Sequence, residues 1–413
     1  MGTRKRSPKF FWIFCSLGAA LVVSGCATVS AWKPLVSNGD EMKRVVETAI
    51  AEDGQPSAAG ALVRADGAAV SAAAGSTRMG GIPVTEKSLY HIGSVTKSMT
   101  AVLAAILIEE GRLDYTTTLA AALPGINMRD EYRDRTILDL MLSRAGIIPF
   151  QHTDNEDPAV VEALWTDIPA ANAGTPRSER AAMTAYALSL PPIYAPGDEA
   201  VPVYSNVSWA ILGHILEETV GMPYEEALAT LVFAPLGIRN YKIGGWPRDD
   251  YGADEPVGHY PPEDSAAPAA RRPQSEADGY FFPAWMNPAG GVNMDIEGFA
   301  RYAREQLRGL GGNGSLLPKH AYEKIHSVNA VADSATMYQG APSGQELSLG
   351  LGWGVAETDS GLLSLADGSG GTFYARLVVY PALDIAFAGL ANSGDGDKAL
   401  RRVIKDSTGF ELE

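Results

Sequence analysis

Ser94 and Lys97 stand three residues apart in the segment HIGSVTKSMTA, His91 to Ala101. A serine hydroxyl becomes a nucleophile only when a base within hydrogen-bond reach can take its proton. Residues three apart share one face of an α-helix, so a helix starting at Ser94 would place Lys97 beside it. The first turn of a helix and an apolar environment both disfavour a cation, which favours the neutral amine that a base requires.

Ser94 also has a simpler interpretation, as the N-cap of the helix that follows it. A capping box places Glu or Gln three residues after the serine, and this chain has Lys97 there. The S-x-x-K pattern occurs a second time, at Ser30-Ala31-Trp32-Lys33, in a segment where we expect no function. The spacing alone therefore leaves both interpretations open.

A second group of polar residues, Tyr204-Ser205-Asn206, stands at the start of another apolar helix pattern. Of the 16 tyrosines, only Tyr204 has an asparagine two residues later. A tyrosine near a lysine can carry a proton, and the Asn206 amide can accept from Lys97 and donate to a substrate amide. The alternative is a local turn before a helix, with Tyr204 as a core residue.

Together, S-x-x-K and Y-x-N resemble the motifs of the serine β-lactamase and penicillin-binding-protein superfamily. The resemblance is to its class C β-lactamase, D-aminopeptidase and esterase-like branch. Framework segments from about residue 40 to the C-terminus share it, among them FAPLGI, NPAGGVNMDIEGFARYA, LGLGWGV and VYPALDIAFAGLANSG. The resemblance implies that Ser94 is acylated, that Lys97 is its base and that Tyr204 carries the proton. It also implies that Asn206 orients the substrate.

The third motif departs from the family, which places K-T-G or H-x-G on a strand beside the site. The matching stretch here is LADGSGG, and Ala366 stands where the family has Lys or His. Gly368 is retained, so the strand can still approach a substrate closely. The resemblance implies an oxyanion hole formed by the N–H groups of Ser94 and Ser369. We also expect Asp367 to contact the substrate.

The loss of a cation at Ala366 predicts a change of specificity, away from substrates with a terminal carboxylate. A second departure is MLSRAGI, residues 141–147, where the family often reads L-L-x-H-T-S-G-L. The resemblance implies a serine hydrolase that acts on a small ester, an amide or a D-amino-acid peptide. Two alternatives stay open: a DD-carboxypeptidase or β-lactamase with an atypical third motif, and a non-catalytic envelope lipoprotein that binds peptidoglycan peptides.

The N-terminus resembles a bacterial lipoprotein signal peptide. Four basic residues precede the apolar run FFWIFCSLGAALVV, which is short for a membrane-spanning helix. The run ends in Val23-Ser24-Gly25-Cys26, which resembles a lipobox and predicts lipidation of Cys26. We therefore expect a signal peptide over residues 1–25 and a tether over 26–39. Because Ala27 rather than Asp follows the cysteine, we expect an anchor on the periplasmic face of the outer membrane.

Composition excludes other classes of function. The formal net charge is −16, and no basic run follows the N-terminal one, so we expect no nucleic-acid partner. The six histidines have no metal-ligand spacing, so we expect neither a metal nor another cofactor. The segment GLGGNG, residues 309–314, matches the G-x-G-x-x-G pattern of dinucleotide-binding proteins. That pattern has to follow a strand, whereas this segment follows a helix, so we expect a turn. The sequence predicts no oligomeric state.

Periodicity predicts an α/β (α+β) fold, and the resemblance implies that this fold is of the β-lactamase/transpeptidase type. A β-hairpin about Asp66-Gly67 and four strand-like segments near the C-terminus would form one antiparallel sheet. Helices near the two termini would flank it. We expect a sheet lobe from about residues 40–130 and 285–413. Residues 131–284 would form a mostly helical lobe that contains a long Pro-rich loop.

Overall fold

Segments from both ends of the chain form one large sheet. This computed structural model describes residues 33–151, 156–172, 175–194, 201–244, 255–262, 271–275, 278, 281–338 and 341–412. Its strands are β1 (Ser57–Val63), β2 (Ala69–Gly75), β3 (Tyr90–His91), β4 (Tyr241–Ile243), β5 (His259–Tyr260), β6 (Arg272–Pro273), β7 (Val292–Met294), β8 (Ala330–Asp333), β9 (Glu346–Leu349), β10 (Gly354–Thr358), β11 (Gly361–Ser369), β12 (Tyr374–Tyr380) and β13 (Ile385–Ala391). Eight of these strands pair in the order β2-β1-β13-β12-β11-β10-β9-β8, antiparallel throughout.

Helices cover both faces of this sheet. They are α1 (Gly39–Asp53), α2 (Thr96–Glu109), α3 (Leu119–Ala122), α4 (Asp130–Arg133), α5 (Ile137–Met141), α6 (Pro158–Glu162), α7 (Ile168–Ala171), α8 (Pro176–Ser189), α9 (Asn206–Val220), α10 (Tyr224–Leu228), α11 (Asn287–Gly290), α12 (Ile296–Leu310), α13 (Lys319–His326), α14 (Ser334–Met337) and α15 (Asp397–Thr408). Helices α1 and α15 pack together on one face, and α12 packs on the other. None of the helices within the described ranges is both long and apolar enough to span a bilayer.

The two faces of the sheet bury separate apolar cores. The smaller core lies under α1 and α15 and contains alternate residues of β11 such as Leu363 and Leu365. The larger core joins the opposite face to helices α2 and α9 and contains Ala366. Because side chains alternate along a strand, the third-motif residues are divided between these two faces.

Helix α2 runs through the larger core. Every residue from Thr96 to Leu107 is buried, so the helix is enclosed on all sides rather than on one stripe. It contacts α9, α10, α11 and α13. A helix enclosed in this way holds its first turn in a fixed position relative to these neighbouring helices, and that first turn contains Lys97.

The sheet confirms the predicted fold class and the expected hairpin. Strands β1 and β2 pair around a turn in which Gly67 has a φ of +100°. The C-terminal segment LGLGWGVAE is two strands rather than one, because it turns back at Gly350–Trp353, where Gly350 N–H donates to the Trp353 carbonyl at 2.8 Å. Strand β8 and the short strands β3 to β7 were not predicted.

A buried group of charges joins helices α8, α9 and α10. Arg180 of α8 has no exposed side-chain surface and lies between Glu217 of α9 and Glu225 of α10. Its Nη2 donates to Glu217 Oε2 at 2.6 Å, and its Nη1 donates to Glu225 Oε1 at 2.7 Å. Residues 195–200 and most of the predicted Pro-rich loop, including 245–254 and 263–270, lie outside the described residues. So do residues 1–32, which contain the predicted signal peptide and lipobox.

Candidate active site

Ser94 lies in a short 3₁₀ turn, Gly93–Val95, that leads directly into α2. Gly93 has a φ of +49°, in the left-handed region that favours glycine. No side-chain capping bond forms at this turn or at the start of α2. Ser94 Oγ instead accepts from Lys97 Nζ at 2.9 Å and shares a hydrogen bond of 2.5 Å with the Tyr204 hydroxyl. The N-cap interpretation is therefore wrong, and α2 begins two residues later than the sequence predicted.

The Lys97 amine is buried and held on three sides. Lys97 is 3% exposed, and besides Ser94 its Nζ donates to Asn206 Oδ1 at 2.8 Å and to the Ala289 carbonyl at 2.7 Å. A neutral amine has two protons and one lone pair. If Asn206 and Ala289 accept the two protons, the lone pair is directed at Ser94. The geometry therefore suits an amine that takes a proton from the serine.

Tyr204 and Asn206 reach the site because Ser205, between them, caps helix α9. Ser205 Oγ accepts from Ser208 N–H at 3.0 Å and donates to the Ile148 carbonyl at 2.8 Å. This cap fixes where the helix begins, so Asn206 is its first residue and Tyr204 lies just before it. The Y-x-N spacing thus places a phenol and an amide on the two sides of a capping serine, and both contact the Ser94–Lys97 pair.

A backbone carbonyl that sequence reasoning missed orients the Asn206 amide. Asn206 Nδ2 donates to the Phe150 carbonyl at 2.8 Å, which leaves Oδ1 directed at Lys97. Phe150 has a φ of +50°, uncommon for an aromatic residue, and its buried ring packs against Trp165 and Trp285. One of the two Asn206 amide protons is used in this way, so one remains for a substrate.

Strand β11 passes directly beside the Ser94 turn. A Cβ on Gly368 would lie 2.0 Å from the Ile92 carbonyl oxygen and 2.7 Å from Ser94 N, so only glycine fits there. A Cβ on Gly93 would in turn lie 2.6 Å from Ser369 N. The N–H groups of Ser94 and Ser369, which we expect to form the oxyanion hole, therefore lie next to this contact.

The Asp367 carboxylate, which we expect to contact substrate, is engaged in a buried ion pair. Asp367 has no exposed side-chain surface, and its carboxylate accepts from Arg376 Nε at 2.7 Å and Nη2 at 2.5 Å. Asp367 and Arg376 are directly paired across β11 and β12, and Arg376 also contacts Asp397 of α15. Because neighbouring residues of a strand face opposite ways, Asp367 faces α15 whereas Ala366 faces the site.

An apolar cavity of about 60 Å³ opens beside Ser94. The residues that line it are Ser94, Lys97, Met141, Leu142, Ser143, Tyr204, Trp209, Met337, Tyr338, Leu349, Gly350, Gly352, Trp353, Gly354, Leu365, Ala366 and Asp367. Lys97 is the only cationic residue in this lining, and its amine is already occupied. Ser143, in the second departure from the family, has a φ of +53°, and its carbonyl accepts from Val203 N–H at 2.9 Å.

One further ionisable group near Ser94, the His91 imidazole, is buried in the fold. His91, on β3, is buried against Phe282, and burial lowers the pKa of His91 to about 3. It is therefore neutral at physiological pH. In the described ranges, no three His, Cys, Asp or Glu side chains come together where they could bind a metal ion.

Comparisons with known proteins find relatives of this chain. The family model "Beta-lactamase" matches residues 42–407. A β-lactamase from Pseudomonas fluorescens is 28% identical over 158 residues, which are 38% of this chain and 37% of that protein. The match thus spans well under half the length of that curated relative.

Two solved structures share the fold over almost their whole length. A class C β-lactamase from Rhodobacter sphaeroides aligns with a TM-score of 0.62 and 19% identity, covering 89% of this chain and 98% of that one. A D-stereospecific amidohydrolase from a Streptomyces species aligns with a TM-score of 0.63 and 22% identity, covering 90% and 99%. The chain belongs to the beta-lactamase family, within the serine β-lactamase and penicillin-binding-protein superfamily, and these comparisons point to a serine hydrolase.

Proposed function

We propose that this protein hydrolyses small uncharged esters through an acyl-enzyme on Ser94, with amides and D-amino-acid peptides as poorer substrates. The observation that carries the proposal is the contact of Ser94 Oγ with both Lys97 Nζ and Tyr204 OH at the mouth of an apolar cavity. A hydroxyl between a buried amine and a phenol can lose its proton as it attacks a carbonyl carbon.

The groups at the site suggest an order of steps. Ser94 Oγ attacks the carbonyl while its proton passes to Lys97, and the N–H groups of Ser94 and Ser369 stabilise the negative oxygen. Tyr204, in contact with Ser94 Oγ, then delivers a proton to the leaving alkoxide as the C–O bond breaks. Tyr204 regains its proton from Lys97. Water then attacks the acyl carbonyl carbon and gives one proton to Lys97. As the bond between that carbon and Ser94 Oγ breaks, the proton returns to Oγ and the acid leaves. The serine is regenerated.

The neutral character of the substrate is supported by Ala366 and by the buried Asp367–Arg376 pair. A substrate carboxylate entering the cavity would leave water and would find no free cation in its lining. Arg376 faces the opposite side of the sheet and is already paired with two carboxylates. The alternative of a DD-carboxypeptidase or β-lactamase that uses Asp367 therefore has little support.

The proposal is tested by labelling the purified protein with a fluorophosphonate and with a fluorescent penicillin, then locating each adduct by mass spectrometry. We expect a phosphonate adduct on Ser94 and hydrolysis of p-nitrophenyl acetate, with weak or no labelling by the penicillin. The matched control is Ser98→Ala, which removes a different serine hydroxyl one turn further along α2. Absence of any adduct on Ser94 would overturn the proposal, and efficient penicillin turnover would favour the β-lactamase alternative.

We further propose that the protein is exported and lipid-anchored at Cys26. The support is the sequence alone: the basic start, the apolar run and the cysteine that ends it. Peptidoglycan-derived molecules would then be among the compounds that reach the site.

A further inference from the structure

Helix α11, Asn287–Gly290, supplies the carbonyl that holds the Lys97 amine. Three successive residues of this single turn contact other elements. Asn287 Nδ2 donates to Glu225 Oε1 at 2.7 Å, the Pro288 carbonyl accepts from Thr100 Oγ1 at 2.7 Å, and the Ala289 carbonyl accepts from Lys97 at 2.7 Å. The Pro288 and Ala289 carbonyls thus contact α2, whereas the Asn287 side chain contacts α10.

Glu225 is itself held by the buried guanidinium of Arg180. Nη1 and Nη2 of Arg180 donate to the two carboxylate oxygens of Glu225 at 2.7 Å and 2.9 Å. Burial alone would raise the pKa of Glu225, but the hydrogen bonds and charge of Arg180 outweigh it and hold that pKa below its usual range. Glu217, the second partner of Arg180, has its pKa raised by burial. Glu225 is therefore a fixed, ionised acceptor for Asn287.

Asn287 is closely enclosed, so its side chain has little freedom to move elsewhere. A Cβ on Gly244 would lie 2.9 Å from the Asn287 amide, and a Cβ on Gly291 would lie 2.5 Å from Asn287 Oδ1. Gly291 N–H also donates to the Asn287 carbonyl at 2.9 Å, which closes the turn. A side chain enclosed on these sides and bonded to Glu225 transmits the position of α10 to the turn that contains Ala289.

We propose that Glu225, through Asn287, is a positioning residue that fixes the Ala289 carbonyl and thereby aims the Lys97 amine at Ser94. Neither side chain touches the nucleophile. The chain of contacts runs from Glu225 Oε1 to Asn287 Nδ2, along one turn of backbone to the Ala289 carbonyl, and on to Lys97 Nζ. This inference rests on the proposed function, since it assigns Lys97 the role of base.

The test compares Asn287→Ala with the parent protein in the rate of Ser94 phosphonylation from pH 5 to pH 10. An amine that is misaimed by about 1 Å should lower the plateau rate by about 100-fold. The Ala289 carbonyl also accepts from the charged form of Lys97, so its displacement should move the acidic limb of the profile to lower pH. A residue that only stabilised the fold would change the unfolding midpoint and leave this limb in place.

Two further variants keep the inference falsifiable. Glu225→Asp retains the charge beside Arg180 but withdraws the oxygen from Asn287, so it should change the profile as Asn287→Ala does, even if the latter variant fails to fold. Glu218→Gln, which removes an exposed partner of Arg177 on α9, should leave the profile unchanged. A plateau within about threefold of the parent, with an unmoved limb, in the folded variants would overturn the inference. Failure of the proposed function would instead be seen in the parent, as no phosphonylation of Ser94.

Discussion

At the scale of single residues, side chains were predictable and backbone acceptors were not. The spacings S-x-x-K and Y-x-N identified Ser94, Lys97, Tyr204 and Asn206, and the structure brings these four together. The carbonyls of Phe150 and Ala289 complete the arrangement, yet every residue has a carbonyl, so no residue type marks them. The positive φ of Phe150 has no sequence signature either, because glycine or asparagine would be expected there.

Replacing Lys97 with alanine tests the assignment of the base. The variant loses the amine that contacts Ser94 Oγ, so we expect its phosphonylation and ester hydrolysis to fall by about 10²- to 10⁴-fold. The rates are measured by stopped-flow with p-nitrophenyl acetate. Lys87→Ala, which removes an exposed amine paired with Glu297, is the control and should match the parent. A Lys97→Ala rate within about threefold of the parent would contradict the assignment.

At the scale of elements, the sequence predicted strands formed by apolar runs and missed those defined by their partners. Strands β11, β12 and β13 are apolar, and their positions were predicted. Strand β8, Ala330–Asp333, is only four residues long and is defined by its pairing with β9. The division of LGLGWGVAE followed from its glycines: Gly352 has a φ of +78° and lies against the backbone of Lys97, which a continuous strand could not do.

The Asp367–Arg376 pair gives a prediction about β11 and β12. Replacing Asp367 with asparagine leaves a buried guanidinium with Asp397 as its remaining anionic contact, so we expect a loss of about 3 kcal/mol in the free energy of unfolding. Urea unfolding measures it. Glu411→Gln, which breaks an exposed pair with Lys405, should cost less than about 1 kcal/mol. An unchanged unfolding free energy in Asp367→Asn, together with a raised KM, would instead support a substrate contact.

At the scale of the whole molecule, the fold depends on histidines that are buried in the neutral form. Burial lowers the pKa of His91 and His326 to about 3 and that of His214 to about 4, against a usual value of 6.5. Between about pH 3 and pH 6.5, the unfolded chain therefore binds more protons than the folded one. Stability is fully present above about pH 6.5 and is lost progressively as the pH falls towards 3.

We expect the thermal unfolding midpoint to fall steadily when the protein is moved from pH 7 to pH 4. His326→Gln removes one of the responsible groups while its neighbour Gln306 remains, so the fall should become shallower in that variant. The titration of carboxylates also changes the unfolding midpoint, but it does so in both proteins and therefore cancels in the difference between their slopes. His320→Gln, which replaces an exposed histidine, is the matched control. Equal slopes in the parent and His326→Gln would refute this account.

The proposed anchor also concerns the molecule as a whole. Replacing Cys26 with serine removes the thiol that would be lipidated, so we expect the protein to move from the membrane fraction to the soluble fraction of cells. Fractionation followed by immunoblotting measures this shift. Cys15→Ser changes the other cysteine and should leave the protein in the membrane fraction. Unchanged fractionation of Cys26→Ser would count against lipidation.

The pairing of β1 with β13 has a consequence for the timing of activity. Ala58 lies opposite Ala391, and the Ser94 turn lies against Gly368, so both contacts join segments that are synthesised far apart in time. Contacts of such long sequence separation form late, because the intervening chain must first be brought together. A nascent chain thus contains Ser94 and Lys97 without the strand that would complete the proposed oxyanion hole. Ser94 therefore has no complete site around it until strands β11 to β13 have folded onto the rest of the sheet.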